Sequence, residues 1–159
     1  MTCTRYLAID PTTAGFAYVV FESPDRLVDW GLATGRSDAE WTHRLESLIS
    51  LYAPEVLITE DGTGTRRGRR AVTFLEGVQT IALLRSLWTV HIPKRKVFEA
   101  FPGAKGKHDI AESLVERFPE LRPRLPRKRQ AWTSEDARMR IFDSLALIAA
   151  HLATDIHTS

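Results

Sequence analysis

Apolar and polar positions along this chain change period several times, and the changes divide it into elements. Residues 5–10 form an almost continuous apolar run, Tyr6-Leu7-Ala8-Ile9, closed by Asp10-Pro11. A second run, Gly15-Phe16-Ala17-Tyr18-Val19-Val20-Phe21, covers 15–22, and a third, Leu27 to Ala33, follows the turn Ser23-Pro24-Asp25. Short apolar runs bounded by turn residues predict strands, and the short connections make these three an antiparallel meander. The period then changes to that of a helix over Asp38 to Tyr52, where Trp41, Leu45, Leu48, Ile49 and Tyr52 recur on one face. Asp38 is the candidate cap and Pro54 ends the helix. Glu55-Val56-Leu57-Ile58-Thr59-Glu60 predicts a buried strand. Reached through a helix, it should lie parallel to the first.

Beyond it, Gly62 to Arg70 is a loop rich in glycine and arginine, and Ala71 to Trp88 predicts a helix with Phe74, Leu75, Val78, Ile81, Ala82 and Leu84 as its apolar face. Thr89 to Pro93 predicts a fifth short strand, followed by a basic loop and a helix from His108 to Phe118. Residues 119–133 show no periodicity and are expected to be a basic, mobile loop. A last helix is expected from Ser134 to Leu152, with Thr133 and Asp136 forming a capping-box-like start. The reading is one α/β domain over 1–159: a five-stranded mixed sheet of order 3-2-1-4-5, flanked by helices.

Composition adds little to the fold and more to the partner. Net charge is +2 at pH 7, yet basic residues cluster at Arg66-Arg67-Gly68-Arg69-Arg70, at Lys94-Arg95-Lys96, at Lys105 and Lys107, and from Arg122 to Arg129. Local clusters of this kind bind phosphates whatever the overall balance. The single cysteine, Cys3, offers neither an internal disulfide nor a metal cluster. The apolar stretch Leu145 to Leu152 is too short to span a bilayer. No secretory signal pattern opens the chain, so a cytoplasmic location and no membrane partner are expected.

The chemistry rests on three acids in apolar surroundings. Asp10 ends the first strand, Glu60 ends its expected neighbour, and Asp143 interrupts the helical run Ile141-Phe142-Asp143-Ser144-Leu145-Ala146-Leu147. Asp-Pro before Thr-Thr-Ala-Gly is also good turn chemistry, which is the plainer explanation of Asp10 alone. Three buried carboxylates converging on one point repel one another and call for a cation. An oxygen-only donor set suits Mg²⁺ or Mn²⁺.

These pieces, in this order, resemble the RuvC family of Holliday junction resolvases within the ribonuclease H-like superfamily. The resemblance is carried by Ala8-Ile9-Asp10-Pro11 with Gly15, Val56-Leu57-Ile58-Thr59-Glu60, and Asp143-Ser144-Leu145-Ala146. Arg70 to Leu87 matches the family's long helix, and Ile92-Pro93 through Gly103-Lys105-Gly106-Lys107 its basic post-strand loop. A glutamate at the end of the fourth strand is the resolvase arrangement; ribonuclease H proper carries it on the first helix. The resemblance implies a metal-dependent endonuclease acting on branched DNA, with two Mg²⁺ or Mn²⁺ ions held by Asp10, Glu60, Asp143 and a fourth acid, and with Lys107 near the scissile phosphate. It further implies a homodimer, for which the apolar face of the Ala71 to Trp88 helix is the expected surface. Arg66, Arg67, Arg69, Arg70, Lys94, Lys96 and Lys105 are the expected DNA contacts.

The chain departs from the family at three points. Arg140 stands where the family has its fourth acid, one turn before Asp143, and leaves Asp136 as the nearest acid on that face. Glu135 is a weaker candidate, and Arg140 could itself contact a phosphate or a site carboxylate. Gly62-Thr63-Gly64-Thr65 offers no aromatic wedge for the junction, and Phe98-Glu99 replaces a second lysine, with Lys94 and Lys96 close by. Trp132 is the tryptophan expected to be free to stack on a base; Trp30, Trp41 and Trp88 are at core spacing. The alternative to an enzyme is a catalytically impaired nucleic-acid-binding module, motivated by Arg140.

Overall fold

The computed structural model describes residues 2–62 and 67–158. Its strands are β1 (Arg5–Pro11), β2 (Gly15–Glu22), β3 (Arg26–Thr34), β4 (Val56–Glu60) and β5 (Trp88–Ile92). Its helices are α1 (Asp38–Tyr52), α2 (Arg69–Leu84), α3 (Lys94–Ala100), α4 (Lys107–Arg117) and α5 (Met139–Thr158), with a 3₁₀ helix over Pro119–Arg124. The sheet has the order β3-β2-β1-β4-β5, antiparallel among the first three strands and parallel from β1 through β4 to β5. This is the mixed sheet that the sequence predicts.

Alternation along the strands divides the core into two layers. Leu7, Ile9, Val20 and Leu57 point to one face, where they pack with Trp41, Leu45 and Ile49 of α1 and Phe74, Val78 and Ile81 of α2. Tyr6, Ala8, Val19 and Ile58 point to the other, beneath Ile141, Phe142, Leu145 and Ile148 of α5 and Ile110 and Leu114 of α4. Side chains alternate with period two, so Asp10 follows Tyr6 and Ala8, and Glu60 follows Val56 and Ile58, onto the α5 face. The fold thus aims both carboxylates at the same helix.

Gly15 has a specific reason to be glycine: a Cβ there would lie 1.9 Å from the Ala33 carbonyl oxygen of β3. The close backbone approach seats the turn after Asp10, where the Thr12 amide donates to the Gly15 carbonyl at 2.9 Å. At α1 the cap is Ser37 rather than Asp38; its hydroxyl accepts from the Glu40 amide at 3.2 Å. Glu40 in turn accepts from the Arg36 amide at 2.6 Å, a capping-box variant.

Four expectations need correction. The stretch after Pro93 is not a loop but α3, about two turns of helix that anchor Val97 in the core. Residues 119–124 are 3₁₀ helix with Leu121 fully buried, not part of a mobile loop. The last helix begins at Met139, five residues later than Ser134, because Asp136 forms a local turn, with its carboxylate accepting from the Arg138 amide at 2.9 Å. Finally, the apolar face of α2 is packed on the sheet and is no free surface. Leu84, expected on that face, is instead exposed with Val72 and Leu83, beside an exposed Trp88 that core spacing had assigned to the interior.

Candidate active site

Parallel pairing of β1 with β4 ends at Ala8 and Ile58, two residues short of Asp10 and Glu60. The two acids therefore sit beyond the ladder, at the carboxyl ends of adjacent strands and at the point where the sheet order reverses. Open α/β sheets place their ligand crevices in this position. The crevice here is a cleft of about 290 Å³. Asp10, Glu60 and Asp143 all line it, with Arg67, Lys94, Lys107 and Arg140, over an apolar wall that includes Val97, Phe98, Ile110 and Leu147.

Each acid in the cleft has a cation. Arg140 reaches Asp10 Oδ2 through Nη1 at 3.3 Å, Asp143 Oδ2 at 3.8 Å, and Glu135 Oε1 through Nε at 3.6 Å. Lys107, at the first position of α4, donates from Nζ to Asp143 at 3.1 Å and to Glu135 at 3.2 Å. Arg67 donates from Nη2 to Glu60 Oε2 at 3.1 Å. Its Nε is buried with no acceptor among the described residues. A buried donor without a partner is costly and is satisfied by an incoming acceptor such as a phosphate oxygen.

Burial governs the protonation of this group. Asp10 is 3% exposed. Burial raises its pKa to about 6; Asp143 and Glu60 push the same way, and Arg140 pulls back. Asp143 is also raised, first by burial, against the opposing pull of Lys107. For Lys107, burial works to lower the pKa, but the attraction of Asp143 and Glu135 outweighs it and leaves the amine above its ordinary value. Lys107 and Arg140 are therefore both charged at neutral pH.

The other residues singled out by the sequence fall in different places. Asp136 points away from the cleft: Arg138 holds its carboxylate at 2.6 Å and keeps its pKa below the usual range. Its neighbour Glu135 joins the charged group instead, through Lys107 and Arg140. Arg70 stacks over the Trp41 ring at 4.2 Å and pairs with Asp38 at 3.2 Å, fastening α2 to α1. Lys94 lines the cleft, whereas Arg69, Lys96 and Lys105 do not. Arg66 lies outside the described residues. Trp132 is 81% exposed, as its setting in the basic segment suggested.

A divalent ion is consistent with the donor set, which is carboxylate oxygen throughout and includes a buried carboxylate facing two others. Among the described residues no three acids are already close enough to grip an ion. Arg140 pairs with both Asp10 and Asp143, Lys107 with Asp143 and Arg67 with Glu60.

The sheet order and the helices that flank it give the chain the ribonuclease H-like fold, in the arrangement seen in RuvC. Among solved structures the chain is similar to Thermus thermophilus RuvC, with a TM-score of 0.68 and 16% identity over 98% of both chains. It is also similar to T. thermophilus RuvC in complex with a Holliday junction substrate, with a TM-score of 0.66 and 14% identity over 98% of this chain and 97% of that one. Fowlpox virus resolvase, solved with Holliday junction DNA, matches with a TM-score of 0.60 and 12% identity over 96% of this chain and 99% of that one. No family model matches the sequence, and no curated protein matches it. At these identities the likeness lies in the fold, which spans essentially the whole chain.

Proposed function

We propose that this protein is a divalent-metal-dependent endonuclease that hydrolyses phosphodiesters of branched DNA, with the four-way junction as its principal substrate. The observation that carries this reading is the convergence of Asp10, Glu60 and Asp143, from two strand ends and a helix, on one cleft that also presents Lys94, Lys107 and Arg67. Asp10, Glu60 and Asp143 would hold the metal. When bound, Mg²⁺ or Mn²⁺ supplies Lewis acidity and an activated water. Lys107 neutralises charge on the reacting phosphate, and Arg67 offers its unpartnered Nε to a neighbouring phosphate oxygen. A resolvase cuts two strands related by symmetry, so the working form in this reading is a two-fold homodimer. Leu83, Leu84 and Trp88, each more than three-quarters exposed, supply the apolar surface for it.

Cleavage of a panel of junctions, flaps and plain duplex tests the proposal. Wild-type protein should cut the junction only with Mg²⁺ or Mn²⁺, and Glu60→Gln and Asp143→Asn should each lower the rate by about 100-fold or more. Asp136→Asn should cut within about twofold of wild type, since its carboxylate serves Arg138. A second reading, a DNA-binding module that does not cut, is favoured by the Arg140–Asp10 pair. It wins if wild type binds junctions tightly yet no metal supports cleavage.

A further inference from the structure

Arg140 has an unusual position for a surface-borne cation. Its guanidinium lies within ion-pair reach of Asp10, Glu135 and Asp143 at 3.3, 3.6 and 3.8 Å. It is anchored from the second residue of α5, between Met139 and Ile141, both buried, and its backbone carbonyl is capped by the Ser144 hydroxyl at 2.9 Å. A guanidinium does not lose its proton under ordinary conditions. The positive charge between Asp10 and Asp143 is therefore permanent and fixed to a rigid element.

Two acids that share a cleft need a cation between them, and here the chain provides one. The contact from Arg140 Nη1 to Asp10 Oδ2 is at once a hydrogen bond and an ion pair. Glu60 is held by a different kind of partner: Arg67 comes from the segment before α2, not from a packed helix. A dication entering between Asp10 and Asp143 meets a fixed positive charge, whereas one entering beside Glu60 needs only a loop side chain to move aside.

We propose that Arg140 is the resident cation of this cluster, standing between Asp10 and Asp143 in place of a second divalent ion, so that the cleft takes a single Mg²⁺ or Mn²⁺ on the Asp10–Glu60 side. The inference rests on the metal-dependent reading given above and narrows it: Asp10 and Glu60 hold the ion, while Asp143 serves Arg140 and Lys107. It makes Arg140 a positioning residue that replaces one member of a metal pair by a side chain.

Counting bound Mn²⁺ on the intact protein, by calorimetric titration together with electron paramagnetic resonance of the free ion, tests this without reference to cleavage. Wild type should bind one ion, and Glu60→Gln should lose it. Arg140→Lys, which keeps the charge, should still bind one; Arg140→Asp, which replaces the cation by an oxygen ligand, should bind two. Should Arg140→Asp fail to fold, Arg140→Gln carries the test, with Mn²⁺ bound about tenfold more tightly than by wild type because the opposing charge is gone. Two ions on wild type, a single ion on folded Arg140→Asp, or unchanged affinity in Arg140→Gln overturns the inference and leaves the metal-dependent reading standing. No Mn²⁺ on wild type or any variant overturns both.

Discussion

Asp10 illustrates how a residue placed for the proposed chemistry can weaken the fold that holds it. Its carboxyl ionises near 4 in an unfolded chain and at about 6 in the folded protein. A raised folded pKa means that folding favours the protonated form. The stabilisation is complete below pH 4 and is lost as pH rises through 6. Asp10→Asn keeps the shape and removes the charge. Without added metal it should therefore match wild type near pH 4 and exceed its stability by about 2–3 kcal/mol at pH 7, while abolishing metal-dependent cutting. Urea unfolding in the presence of a chelator at the two pH values measures the gap; equal stability at both would mean that Arg140 fully compensates the buried charge. At this scale the sequence was informative about Asp10, Glu60 and Asp143, because an acid ending an apolar run, or interrupting an apolar helix face, stands out against its surroundings. It was less informative about Glu135 and Asp136. Their directions depend on a turn rather than on helical spacing, and the signal available was the tendency of an aspartate side chain to accept from the backbone amide two residues on.

Elements with a strong period were legible: every strand and the three long helices follow from alternation or helical spacing. Those set by local backbone geometry were not. Helix α3 is only seven residues long and opens with three basic residues, so its apolar contribution reduces to Val97 with partly buried Phe98. Pro93 immediately before it was the usable start signal. The start of α5 was displaced for the same reason that Asp136 left the cleft: the segment before Met139 is a chain of turns closed by Asp136, Ala137 and Arg138 carbonyls. A test at this scale concerns the turn between β1 and β2. Gly15→Ala places a methyl against the Ala33 carbonyl, so it should destabilise the protein by more than the ~1 kcal/mol typical of point substitutions, as read by thermal or urea unfolding. Because the same turn seats Asp10, the variant should also lose cutting activity at temperatures where it remains folded.

At the scale of the whole molecule, the cleft gathers Arg67, Lys94, Lys107 and Arg140 although the net charge of the chain is only +2. Junction binding in the proposed function should weaken steeply with salt, and Lys94→Ala should lower the slope of log affinity against log salt by about 1, the value for one phosphate contact, with little effect on fold. An unchanged slope removes Lys94 from the DNA path. The proposed dimer belongs to this scale too. Leu83→Ser with Leu84→Ser should shift the protein to monomer in light scattering, and an unaltered mass places the two-fold contact elsewhere. No helix among the described residues is long and apolar enough to cross a membrane.

The Arg140–Asp10 pair joins residues 130 positions apart. During synthesis this separation becomes an interval of time. β1 and β4 leave the ribosome long before α5, and until α5 docks the nascent chain has two of the three cleft acids and neither the guanidinium nor Asp143. In the proposed function a partly made chain is thus a poor nuclease by construction, and the capacity to cut would arrive with α5, as part of the same event that closes the core.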